Sequence, residues 1–163
     1  MFLSISKKNR KPSNQAAAAA AIRAELKTRF PGVKFSVTSE GFSMGSAVDI
    51  RWTDGPTNKQ VSDVTGKYQY GHFDGMNDMY EISNRQDDIP QAKYVSTHRK
   101  YSPVAIDKAI SAARAKYGFR HDCTAEDYLH GRLDSIPAVG NAAGDYNWSV
   151  QSVLYRTLSD MSF

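Results

Sequence analysis

Apolar residues recur along this chain with two periods, and the switches between them mark out its elements. Ile22, Leu26 and Phe30 fall at i, i+4 and i+8, with Arg23, Glu25 and Lys27 off that line, which predicts a helix over 14–29 with one apolar stripe. The alanine tract 16–21 has the highest helix propensity available. Ser13 or Asn14 supplies the N-cap, and Pro31-Gly32 stops the helix. From Val33 the period becomes two. Val33, Phe35 and Val37 alternate with Lys34, Ser36 and Thr38, and Val48, Ile50 and Trp52 alternate with Asp49, Arg51 and Thr53. Each run predicts a strand with one buried face. The stretch 40–45 between them reads as a hairpin connection longer than two residues. Its Phe42 and Met44 read as a cap on the core, with an exposed contact tip as the alternative.

The pattern continues in the same style. Thr57 and Gln60 form a capping box that opens a short helix carrying Val61 and Val64. A glycine and aromatic run follows, then a third strand over 78–83, an acidic loop over 84–90 and a fourth strand over 93–101. Ser102-Pro103 starts a helix with cap and N1 proline in the preferred order. Its stripe is Ile106, Ala109, Ile110, Ala113 and Tyr117, and Gly118 ends it. A short helix at Thr124, a loop over 135–144 and a last helix over 148–161 complete the chain. The predicted fold is α+β: an antiparallel sheet of three to four strands with helices packed on one face, in the order α-β-β-α-β-β-α plus C-terminal helices. The 14–29 and 103–117 helices cover the sheet together. The predicted core holds Leu26, Phe30, Phe35, Val37, Val48, Ile50, Trp52, Ile106 and Ile110. Residues 1–12 read as a basic flexible arm and 13–163 as a single domain, a size that suits one sizeable core.

Charge alters this picture in one place and complicates it in another. The 21 basic residues exceed the 17 acidic ones by four, and four bases, Lys7, Lys8, Arg10 and Lys11, lie within 1–12, with no acid before Glu25. The excess is therefore a property of the arm, which predicts weak, salt-sensitive contact with DNA or RNA there rather than a basic body. Within the body, 71–90 holds Asp74, Asp78, Glu81, Asp87 and Asp88 against Arg85 alone, whereas 93–120 holds seven bases against Asp107. These segments read as facing each other or as separately solvated. The longest uncharged apolar run is the alanine tract, far short of a membrane span, and the charges of the N-terminus follow its apolar residues, the reverse of a secretory signal. A cytoplasmic location in the host cell is the expectation.

Candidate chemistry is sparse. Cys123 is the only cysteine, so no intramolecular disulfide forms, and it reads as a small core filler unless His72, His98 or His130 folds against it. His121-Asp122-Cys123 are adjacent and point in different directions, so they predict no metal site. His72 and Asp74 share a face if extended and form an acid/base pair; flanked by Gly71 and Gly75, they read instead as a loop whose polar groups satisfy backbone amides. No phosphate loop, nucleophile elbow or cofactor motif is present. Two binding surfaces remain. One is Tyr70, His72, Phe73, Asp74, Asp78, Tyr80 and Glu81, with Phe73 and Tyr80 as aromatic anchors and the acids giving orientation. The other mixes bases with aromatics: Arg99 and Lys100, with Lys34, Arg51, Trp52, Tyr68, Tyr70, His98 and Tyr101, as in sequence-tolerant single-strand binding. Trp52 is also in phase with Val48 and Ile50, which reads as core.

The segments AAAAAIRAELKTRFPGVKFSV, DIRWTDGPT and GKYQYGHFDGM together carry a resemblance. They resemble the large polyvalent protein-associated domain 29 of phages and conjugative elements, over roughly 15–118. The resemblance brings no catalytic residues. It implies a protein that enters a host cell with mobile DNA, where counter-defence is a common theme. The resulting expectation is a non-catalytic macromolecule-binding protein, an inhibitor of a host restriction or CRISPR-type system, whose partner is a host defence protein or its nucleic-acid complex. The alternative is a nucleic-acid-binding module. The oligomeric state is left open.

Overall fold

The computed structural model describes residues 12–138 and 148–163. Lys7, Lys8, Arg10 and Lys11 of the arm, and 139–144 of the loop expected over 135–144, lie outside the described residues. The elements are α1 (Asn14–Arg29), β1 (Ser36–Phe42), β2 (Gly45–Thr53), α2 (Asn58–Thr65), β3 (His72–Asp74), β4 (Met79–Glu81), β5 (Tyr94–Lys100), α3 (Pro103–Tyr117), α4 (Ala125–Leu129) and α5 (Val150–Asp160). The fold is α+β in the expected order. Local signals account for the boundaries. Thr57 accepts from the Gln60 amide while the Gln60 side chain accepts from the Thr57 amide, a complete capping box. Ser102 caps α3 through the Ala105 amide, Pro103 sits inside its first turn, and Gly118 closes it in the left-handed region.

Strand pairing differs from the expected single antiparallel sheet. A three-stranded mixed sheet has the order β1-β2-β5, with β5 parallel to β2, and β3–β4 stand apart as a two-stranded hairpin. The reason lies in the connection. A parallel return needs a long crossover, and α2 with the β3–β4 hairpin and the following loop provides it. Buried Gln91 secures that loop: its amide nitrogen donates to the Lys67 and Asn84 carbonyls, and its oxygen accepts from the Gln86 amide. The β1–β2 connection is also tighter than expected. Phe42 pairs with Gly45, leaving only Ser43 and Met44 as the turn. Phe42 and Met44 are 46% and 81% exposed, so they stand at an exposed tip and do not cap the core.

The apolar faces assemble into two cores. In the first, α1 and α2 cover one face of the sheet, bringing Ala18, Ala19, Ile22, Leu26, Val61 and Val64 against Val37, Val48, Ile50 and Trp52. Phe30 and Phe35 are half-buried at its edge, with Phe35 stacked at an angle 5.6 Å from Trp52. In the second, the α3 stripe of Ile106, Ala109, Ile110 and Ala113 meets Val150, Val153, Leu154 and Leu158 of α5, with Phe119, Tyr128 and Leu133. Ile106 and Ile110 are buried as expected, but α3 does not join α1 over the sheet. A stripe states that a helix has a partner, not which partner, and α5 offers α3 an apolar stripe of its own.

Arg99 joins the two cores. Its guanidinium donates to the carbonyls of Asp54 (3.1 Å) and Gly55 (2.9 Å) in the first, and of Leu158 (3.1 Å) and Met161 (2.8 Å) at the end of α5. Gly55 is left-handed, at φ 62°, and a Cβ there would meet the Val33 methyls at 3.0 and 3.3 Å, so glycine suits this turn. The Gly55 carbonyl also accepts from the Phe163 amide.

Candidate functional site

The two ends of the three-stranded sheet carry different surfaces. At the end formed by the β1–β2 turn, Tyr80 of β4 packs edge-on between Tyr70 (5.7 Å) and Tyr94 (5.4 Å) and donates its hydroxyl to the Lys93 carbonyl. Burial pushes its phenol up to about 12. The Lys93 ammonium lies 4.7 Å over the Tyr80 ring and donates to the Met44 carbonyl, so both hairpins meet at Lys93. Gly71 makes this approach possible, because a Cβ there would lie 2.1 Å from the Glu81 carbonyl oxygen and 2.6 Å from the Tyr80 ring. Tyr70 and Tyr80 are thus structural members of the expected partner surface.

The other members divide differently. Phe73 pairs with Tyr80 across the hairpin yet is 55% exposed, and beside it Met76, Met79 and Ile82 are 96%, 63% and 59% exposed. Asp74 turns onto its own loop, accepting from the Met76 amide and the Asn77 side chain. Those bonds, the Met76 amide first, hold its carboxyl below the usual range. No bond joins it to His72, whose Nδ1 lies 3.0 Å from Ser83 Oγ and whose Nε2 lies 3.8 Å from the Glu81 carboxylate. The stretch is extended as β3 and not a loop, so the two side chains share a face, yet Asp74 bonds the turn that follows and not His72. Asp78 sits in the left-handed region at φ 50°, exposed at the turn. Among the described residues, Asp78, Asp87 and Asp88 make no ion pair, and none links 71–90 to 93–120. The two charged segments are separately solvated.

At the opposite end, where parallel β2 and β5 finish, lies a cleft of about 780 Å³. Its walls include Lys34, Arg51, Lys100, Phe35 and Phe163 over a floor at Trp52. Lys100 is placed here as part of a basic and aromatic surface. Arg99 is not: its guanidinium is engaged by four backbone carbonyls and lies against the Tyr101 and Phe163 rings at 5.0 and 5.4 Å. As a nucleic-acid contact it is corrected to a structural tie, because β5 alternation turns it toward the Trp52 face while Lys100 faces out. Tyr68 is also internal, donating its hydroxyl to Glu25 at 2.8 Å. Arg51 and His98 both reach Asp49 on the open face of the sheet, at 2.6 and 3.0 Å. That cluster needs the β2–β5 register, and Phe163 in the cleft had no sequence signal.

Cys123 is half-buried against the second core, and burial raises its thiol pKa. No hydrogen bond or ion pair among the described residues joins it to a histidine.

The family model for large polyvalent protein associated domain 29 matches residues 13–102. The chain belongs to this family, which ties it to the polyvalent proteins of phages and mobile elements. The matched span is narrower than the expected 15–118 at its far end: it runs from the cap of α1 to the cap of α3, so it coincides with the first core and leaves the second outside. No curated protein and no solved structure is similar enough to match the chain. No helix among the described residues is long and apolar enough to cross a membrane.

Proposed function

We propose that this is a non-catalytic binding protein of a phage or mobile element, acting in the host cytoplasm in counter-defence by docking its β3–β4 hairpin on a basic surface of a host defence protein. The observation that carries this reading is the exposure of Phe73, Met76 and Met79 on the hairpin and its turn, beside Asp78, which makes no ion pair among the described residues, and Glu81, which faces only His72. Exposed apolar groups of this size supply affinity, and a surrounding charge of one sign supplies orientation and on-rate. A channel that normally holds nucleic acid is the complementary kind of surface. Phe73 is the anchor; Tyr80 holds the hairpin from below.

The test is capture from host lysate with three proteins: the unaltered chain, a charge-reversed form (Asp78→Lys, Glu81→Lys, Asp87→Lys) and an apolar variant (Phe73→Ser, Met76→Ser). Asp74 is spared because it holds the turn. A basic partner retained by the unaltered chain, weakened by salt and lost by both variants supports the reading. Retention of the same partner by both variants removes the hairpin from the mechanism. Nucleic-acid contact is the second reading, favoured by the cations that gather at the far end of the sheet.

A further inference from the structure

We propose that the cleft at the finishing ends of β2 and β5 binds a nucleotide unit, a phosphate with its flat base, either as a free nucleotide or within a single strand. The inference rests on the nucleic-acid reading, names its site, and is independent of the hairpin. The volume, about 780 Å³, falls in the range of small-ligand sites. Three elements each bring one cation to it: Lys34 from the approach to β1, Arg51 from β2 and Lys100 from the end of β5. Lys34 and Lys100 are exposed and pair with no carboxylate among the described residues, whereas Arg51 is ion-paired to Asp49 at 2.6 Å. One wall side chain is a carboxylate, Asp54, which accepts from the Ser102 amide at 2.8 Å. The two unpaired lysines draw an anion to this end of the sheet.

The aromatic walls narrow the class. Phe35 is backed by Trp52 at 5.6 Å, and Phe163 by the Arg99 guanidinium at 5.4 Å, so each ring is fixed from behind while it lines the cleft. A bare phosphate or an acidic peptide needs cations only. Fixed aromatic rings among cations suit base stacking together with phosphate neutralisation.

The experiment uses the whole chain, a fluorescently labelled oligothymidylate read by anisotropy, and thymidine monophosphate and inorganic phosphate as competitors. Two phosphate contacts along a strand, one at each free lysine, predict that a threefold rise in salt weakens oligonucleotide binding about fivefold. Lys34→Glu with Lys100→Glu lowers affinity roughly a hundredfold, about tenfold for each lost charged contact. Phe163→Ser weakens the oligonucleotide without changing competition by phosphate. Competition by the mononucleotide identifies a single unit as the ligand; binding of the oligonucleotide alone identifies a strand, and both support the site. Inorganic phosphate competing as well as the mononucleotide overturns the base-recognition claim. Binding untouched by the lysine changes but lost when Lys7, Lys8, Arg10 and Lys11 become Ala overturns the cleft and leaves the nucleic-acid reading on the arm. Absence of binding to every probe overturns both.

Discussion

The same three strands reach both ends of the sheet, yet one end is bound into the molecule and the other stands out from it. At the β2–β5 finish, Arg99 closes four carbonyls from two cores, and Gly55, Asp54 and Phe163 are drawn into the same junction. At the turn end, Phe42 and Met44 project from a two-residue turn, and the neighbouring hairpin projects Phe73, Met76 and Met79. Burial at the first end makes residues structural and leaves lysines around a cleft. Exposure at the second leaves apolar groups whose role lies outside the chain. Substitutions at the two ends should therefore fail in different ways.

The largest expected effect is in the core behind both ends. Ile50→Ala in the first core and Leu154→Ala in the second each cost about 2–5 kcal/mol, because each side chain is fully buried. Urea unfolding of the two variants sharpens the comparison. A single shared transition means the Arg99 junction couples the cores, and separate transitions mean it does not. Arg99→Met comes next, at about 2–4 kcal/mol, since it leaves carbonyls of both cores without donors. A loss below about 0.5 kcal/mol, the level of an ordinary surface change, would show that the junction end is no firmer than the tip.

At the projecting end, Gly71→Ala should cost about 1–3 kcal/mol, because the new Cβ displaces the Glu81 backbone. Gly75→Ala, with open space around its Cβ, is the matched control. Phe73→Ala should change stability by no more than about 0.5 kcal/mol while weakening partner capture, the signature of an exposed contact residue. The smallest effect is a pH dependence of the turn. The folded Asp74 carboxyl lies below its ordinary value, so its bond to the Met76 amide is present above the unfolded pKa, about 4, and is lost as pH falls through the folded value. The Met76 amide resonance should shift in acid, and Asp74→Asn should abolish that titration.

Local chemistry was readable from the residues themselves. The caps at Thr57, Ser102 and Thr124, the stripes of α1, α3 and α5, and the buried face of β2 depend on neighbours within a few positions, and each formed as its spacing implied, whereas β1 begins only at Ser36 and buries Val37 alone. The polar turn around Asp74 belongs to the same class. Exposure of Phe42 and Met44 did not, because an apolar residue at a turn has the same pattern whether or not something covers it. Partner choice was the tertiary decision. Alternation in 94–100 defines two faces but not that β5 lies parallel to β2, and the stripe of α3 does not say that α5, and not the sheet, will meet it. The engagement of Arg99, the convergence of Lys34, Arg51 and Lys100, and the arrival of Phe163 at their cleft follow from those pairings. They join residues far apart in the chain, and periodicity carries no information over that distance.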